Sequence, residues 1–552
     1  MVLIADAASM AASAFLRADD DVLFEILSHL TVGTAKPVGS EGLLALALTN
    51  KRFTPFAMNV IWRSLPGHRP LLGLLYTSGI SQLRHLEDAH SSDSGTRSLS
   101  GYTHYHYTVT HHQSYDALSA HPGWDRFLVY ARYVQEVSFG ALASSSSPSV
   151  WTELGALTKG HLTILPRLHR ITLHCSEWDP APCRAPFRYE NGQLALISAT
   201  VRHATINLDL SKGPLFDKQH TPSALRYVSD IISFRCPALE IVELKSNFWP
   251  LRFATLRHLR SLTLPHTAVL SFDDLRMISA LPSLAELSFT ASLRQRDSGS
   301  SPLSDVCFPV VTKLTIDGIK PIVGTILAEI QFPSLTSLHI GINGTKPPRL
   351  IPHVHNLVSA IAGLFPKLKS LHVRFYLQSS VLRDNDMHQY VLERPERTLS
   401  TLLAPFLPLK CLRSLSLTLL LHDISYSSPD ILEAALAWPA LEELRLTFRG
   451  RYSSLALGTA TLDVLAHVAR ACPRLRVLHL PETTHAVGAL RRARADLHDV
   501  TAHDALQELV LGTVVVREGS AQGAKEEIRE FVDGVFPYAA HAFEMPTMQQ
   551  YR

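Results

Sequence analysis

Four histidines, His104, His106, His111 and His112, lie close together, and imidazoles at that density are the chain's nearest approach to a metal centre. A hydrolytic zinc site needs three or four nitrogen, oxygen or sulfur ligands. Here the neighbours are Tyr102, Tyr105 and Tyr107, and no carboxylate or cysteine completes a set. The six cysteines, Cys175, Cys183, Cys236, Cys307, Cys411 and Cys472, are scattered without paired spacing, which suits a reducing compartment better than a secreted disulfide scaffold. No phosphate-binding Walker loop, dinucleotide-binding glycine triplet, nucleophile elbow or H-E-x-x-H pair occurs. The residues therefore predict a protein that is not an enzyme and carries no metal or cofactor.

Composition narrows the partners. A net charge of +3, from 52 basic and 49 acidic residues, gives no electrostatic case for nucleic acid. No apolar run approaches the roughly 18 residues that a membrane-spanning helix needs. The Ala-rich start, residues 1–15, has no positive charge before Arg17 and makes a poor signal peptide. A cytoplasmic or nuclear protein is expected, with no membrane and no nucleic acid among its partners.

What must position any binding side chain is a recurring phrase, L-x-x-L-x-L, written about a dozen times between Val134 and Leu511. Clear copies are Leu284/Leu287/Phe289 after Pro282, Leu335/Leu338/Ile340 after Pro333, Leu368/Leu371/Val373 after Pro366, Leu441/Leu444/Leu446 after Pro439 and Leu475/Leu478/Leu480 after Pro473. A helical pattern precedes most copies and stops at the proline, which has no amide donor and disfavours helix in the residue before it. The unit is helix, proline stop, short strand. One such unit cannot bury its own apolar face, so copies must stack and share an elongated core. Cys236 and Cys472, each just before a repeat proline, are expected to be small buried hydrophobes. A helix over Lys525 to Val535 should close the last repeat.

The pattern resembles leucine-rich repeats of the irregular kind found behind F-boxes. The fold expected is α/β: a leucine-rich-repeat-like solenoid, helix plus short parallel strand per repeat, preceded by a small three-helix unit. Residues 19–65 form that helical unit, residues 66–125 a linker with a flexible Ser/His-rich insertion, and residues 126–540 the solenoid with its C-terminal helical cap. Further loops are expected at Ser144 to Ser147 and Arg294 to Ser304.

The N-terminal unit itself resembles an F-box. Asp20 to Leu30 matches its first helix, Leu43 to Leu48 followed by Lys51, Arg52 and Phe53 its middle, and Trp62 its closing tryptophan, although Asp19 stands where the family has a proline. The resemblance implies docking to a Skp-type adaptor protein and, through it, to a cullin. The chain would then be the substrate-receptor subunit of a Skp-cullin-F-box ubiquitin ligase. Two short amphipathic helices cannot hide all their apolar side chains, so Ile26, Leu27, Leu30, Leu44, Leu48 and Trp62 are the expected adaptor-binding residues. In the repeats the leucines face inward, and the side chains between them form an outward strip. Its candidate target-binding residues are Lys245, Lys313, His339, His372, Arg374, Arg445 and His479. The other reading is a protein-interaction scaffold in which the N-terminal helices merely cap the repeats.

Overall fold

The computed structural model describes residues 53–85, 105–110, 114–141, 150–158, 163–175, 193–207, 229–245, 255–264, 272–291, 305–343, 350–376, 398–419, 426–448, 460–486, 503–518 and 521–544, with single positions at Ala45, Leu48, Lys51, Leu270, Ile424 and Leu490. The chain forms two compact units, Met1–Leu262 and Thr263–Arg552.

The first unit carries β1 (Ser64–Leu65), β2 (Ser81–His85), β3 (Tyr105–Val109), β4 (Glu136–Ala141), β5 (Arg170–Cys175), β6 (His203–Asn207) and β7 (Ile241–Leu244), with β8 (Ser261–Thr263) at its end. Strands β1, β4, β5, β6 and β7 pair in parallel in that order, while β2 and β3 make a separate antiparallel pair. The second unit carries β9 (Glu286–Ala291), β10 (Lys313–Ile319), β11 (Ser337–Asn343), β12 (Ser370–Tyr376), β13 (Ser414–Leu419), β14 (Glu443–Phe448), β15 (Val477–Ala486), β16 (Glu508–Glu518) and β17 (Ala540–Glu544). All nine pair in parallel with their sequence neighbours. Parallel strands joined in chain order through helices such as Val150–Thr158 in the first unit and Phe272–Ser279, Lys320–Glu329, Ser428–Ala437 and Val464–Ala471 in the second make each unit a leucine-rich-repeat-like stack.

Register turns the leucine phrase into a core. Leu287, Leu314, Leu338, Leu371, Leu415, Leu444, Leu478 and Leu509 stand opposite one another from β9 to β16, and all are buried. Each such side chain contributes about 1.5 to 3 kcal/mol on burial. A slip of one residue would turn the row to solvent, so the phrase also fixes the pairing.

The repeat prolines act through a turn. In Trp438-Pro439-Ala440-Leu441 the carbonyl of Trp438 accepts the amide of Leu441 at 3.0 Å, and the same bond closes Phe332 to Leu335 (3.2 Å), Phe365 to Leu368 (3.1 Å) and Cys472 to Leu475 (3.1 Å). Proline sits at the second turn position, where its fixed φ suits a type I turn. The residue before it is a buried plug: Cys236, Leu281, Phe332, Phe365, Trp438 or Cys472. The two cysteines are thus core residues, with Cys472 Sγ 3.4 Å from the Ala435 carbonyl oxygen, and burial pushes both thiols up to about 12.

Three sequence expectations change. Residues 66–125 are more than a linker: the helix Arg69–Thr77 buries Leu71, Leu72, Leu74 and Leu75, and the helix Pro122–Ala131, which crosses the expected boundary at 125, buries Trp124. Residues 105–109, within the Ser/His-rich insertion expected as loop over Glu87 to Gln113, form a strand, because Tyr105, Tyr107 and Val109 alternate with polar residues and favour extended backbone. At the other end the helix spans Ala521–Val535 and buries Ile528, Phe531, Val532 and Val535, but it does not end the array. Strand β17 follows, hidden in the sequence because its segment, Ala-His-Ala-Phe-Glu, has no leucine. The serine run at 144–147 and the segment 294–304 lie outside the described residues.

His68, just past β1, is buried with its ring edge-on to Trp151, centroids 6.5 Å apart. Burial, and secondarily the Arg69 guanidinium, push its imidazole down to about 4. Between pH 6.5 and 4 the unfolded chain therefore holds a proton that the folded chain refuses. Stability is complete above about pH 6.5, falls through this window by up to about 3 kcal/mol, and levels off below it. Urea midpoints of the first unit's transition should drop between pH 7.5 and 4.5, and His68→Phe should flatten that dependence.

Candidate functional site

Among the expected adaptor-binding residues, Ile26, Leu27, Leu30 and Leu44 lie outside the described residues. Leu48 is helical and 80% exposed. Trp62 differs from it. The helix Thr54–Arg63 runs directly into β1, Phe53 and Ala57 beneath it are buried, and the half-buried indole of Trp62 lies 5.1 Å from the Tyr130 ring. This last helix is therefore anchored on the first unit, with Leu48 left projecting just before it.

The strand face of the second unit is organised by register. One row across it reads Thr315, His339, His372, Ser416, Arg445 and His479, and the row beside it Lys313, Ser337, Ser370, Ser414, Glu443 and Val477. His339 and His372 stand directly opposite each other on β11 and β12, and their rings stack at 4.1 Å with planes 24° apart. Burial, then the neighbouring His339 ring and the Arg374 and Arg445 guanidinium groups, push His372 down to about 4, and its Nε2 has no hydrogen-bond partner among the described residues. Burial also lowers His339; Asp317 opposes the shift and Arg374 and Lys313 add to it. Both rings are neutral at physiological pH and act as planar hydrogen-bonding groups, not cations.

Lys313, Arg445 and His479 meet carboxylates from their own sheet. Lys313 lies 3.7 Å from Glu286, and Arg445 lies 3.4 Å from Glu508 and 3.9 Å from Glu443. His479 Nε2 is 3.0 Å from Glu508 Oε1. Arg374 stands opposite Gly341 on one side and Thr418 on the other. Glu508 is the residue that the sequence reading missed, although it holds the third place of the phrase Leu506/Leu509/Leu511.

Lys245 belongs to the first unit, exposed just after β7, with its amide donating to the Ile206 carbonyl at 2.8 Å. That unit has its own chain of polar contacts. Glu136 meets Arg170 at 3.7 Å, Arg170 Nε donates to His203 Nδ1 at 3.1 Å, and His203 Nε2 faces Glu243 at 3.5 Å. Accepting from Arg170 fixes His203 as the Nε2-protonated tautomer. Burial and then Arg170 lower its pKa against the opposing pull of Glu243. Beside it Ser138 and His174 Nδ1 are 3.1 Å apart. Arg170 and Glu243 are legible as outward strand positions, but His203 is not, because His203-Ala-Thr-Ile206 keeps the alternation of a strand but none of the leucines.

Of the histidine tract, His106 sits on β3 with its backbone paired to Arg84, and His104, His111 and His112 lie outside the described residues. Among the described residues no group of three histidine, cysteine, aspartate or glutamate side chains is placed to hold a metal ion, and no helix is long and apolar enough to cross a membrane.

No family model and no curated protein matches the chain. Among solved structures it is similar to one described as "The crystal structure of CroV588 a novel circular LRR protein structure", at 11% identity and a TM-score of 0.27, over 75% of this chain and 53% of that one. The chain thus spans about half the length of that protein. The repeat architecture rests on the strand order and leucine register of this chain itself.

Proposed function

We propose that the chain is the substrate-receptor subunit of a Skp-cullin-F-box ubiquitin ligase. The observation that carries this reading is an arrangement: an F-box-like segment with Leu48 exposed leads, through one anchored helix, directly into the first strand of a repeat stack. The apolar side chains at 26, 27, 30, 44 and 48 would grip a Skp-type adaptor, and the strand face would hold the protein to be modified. No residue of this chain breaks or makes a bond in that scheme. Its contribution is to raise the local concentration of the target beside the ubiquitin carrier, which tethering does without new chemistry.

A second reading has its own support. Burial of Phe53 and Ala57 and the Trp62–Tyr130 contact are what a cap needs, so the segment could close the repeats of a non-ligase scaffold and nothing else. Co-purification with a Skp-type adaptor separates the two. The ligase reading expects stoichiometric adaptor with the full chain and none with Leu27→Asp, and equal recovery from both, or none from either, leaves the scaffold.

A further inference from the structure

The strand face of the second unit changes character along its strand order. On β9 and β10, Glu286 and Lys313 pair at 3.7 Å. On β14 to β16, Glu443 and Glu508 share the single guanidinium of Arg445, at 3.9 and 3.4 Å. Two carboxylates face one fixed cation there, with the His479 imidazole 3.0 Å from Glu508 as a further partner, so that end carries the excess of acid. Between the ends, on β11 to β13, Ser337, Ser370 and Ser414 form one row and His339, His372 and Ser416 the next. None of these six positions carries a fixed charge, the nearest being the Arg374 guanidinium one row further along β12, and the two imidazoles already lie face to face.

A phosphorylated or acidic segment fits this face poorly. Its anion would need unspent cations, yet Lys313 and Arg445 are already held by carboxylates that would repel it, and Arg374, in the row beside the histidine stack, already has an interaction of its own. Neutral stacked rings beside the Ser337 and Ser370 hydroxyls, that of Ser414 being given to Glu443 at 2.8 Å, suit a planar apolar group with flanking backbone amides, since aromatic pairs add about 0.5 to 1.5 kcal/mol beyond their burial. The acidic end suits a cation. Neighbouring strands are about 4.8 Å apart, so the His339/His372 stack and the Glu443/Glu508 pair are separated by three to four strand spacings, roughly 17 Å. An extended peptide crossing the strands covers that distance in about five residues.

We propose that the strand face of the second unit recognises an extended, unphosphorylated target segment with an aromatic side chain on the His339/His372 stack and a lysine or arginine four to six residues away at Glu443 and Glu508. This rests on reading the strand face as the target-binding surface, and it is independent of the adaptor: either can fail while the other stands.

Panning a phage-displayed library of random 12-residue peptides on the immobilised full chain tests it. The expected consensus pairs Trp, Tyr or Phe with Lys or Arg at that spacing. A synthetic consensus peptide should bind about 10-fold or more weakly to His339→Ala/His372→Ala, and about 10-fold more weakly to Glu508→Gln, which keeps the hydrogen-bonding shape. His372→Phe, which keeps a planar ring, should retain most of the binding, and separates loss of the stack from loss of the fold. No enrichment, an acidic consensus, tighter binding when the peptide carries phosphotyrosine at the aromatic position, or unchanged binding to the double variant would each overturn the proposal.

Discussion

Trp438→Ala is expected to destabilise the second unit by about 3 to 5 kcal/mol, the range for removing a large aromatic from a well-packed core. The indole is completely buried, and its Nε1 donates to the Phe406 carbonyl at 3.3 Å. Its loss leaves a void at the turn and an acceptor without its donor. The same residue's carbonyl closes the proline turn onto Leu441 at 3.0 Å, and β14 with Glu443 and Arg445 begins two residues later. Because stacked repeats contact mainly their neighbours, damage should centre on β13 to β15 and spare the first unit. Urea unfolding followed by a probe in each unit would read this directly. Trp438→Phe should cost less than half as much, and a cost under about 1 kcal/mol for the alanine variant would mean that the plug is not holding the repeat.

The second large effect is on association. Leu48→Asp should weaken a Skp-type adaptor by at least about 100-fold, about 2.7 kcal/mol, because it sets a charge in what would be a dry apolar contact. Leu48 is 80% exposed in the free chain, so the substitution should leave the urea midpoint unchanged. Trp62→Ala predicts a different pattern. Its contact with Tyr130 lies within the chain, so the variant should lose stability in the first unit whether or not it loses adaptor. Isothermal titration of both variants, each with its own melting curve, separates grip from anchor. If Leu48→Asp binds adaptor like the wild type while Trp62→Ala only unfolds, the segment is a cap.

The repeat architecture was legible because a short strand with an inward leucine row leaves a strong period, and because each proline marks a turn that the backbone geometry requires. Strands without leucine were not. Strand β17 and the segment His203 to Ile206 carry alanine, phenylalanine, isoleucine and polar residues in their place, and their stacking depends on neighbours that a local pattern does not show. Strand β3 was obscured by composition, since serine and histidine around it read as loop while tyrosine and valine within it favour extension. The strand-face residues were legible as positions but not as partners. Lys313, Arg445 and His479 read as outward positions, and only register shows that Glu286, Glu443 and Glu508 meet them. The charge of a sheet face is a property of pairs of strands, not of one phrase.

Hydrogen–deuterium exchange of the full chain with and without a purified Skp-type adaptor tests the ligase reading most directly. Substrate-receptor docking predicts that adaptor slows exchange across residues 20 to 62 and leaves the strand face from β10 to β16 unchanged. Protection confined to the strand face, or no protection anywhere at saturating adaptor, would contradict it.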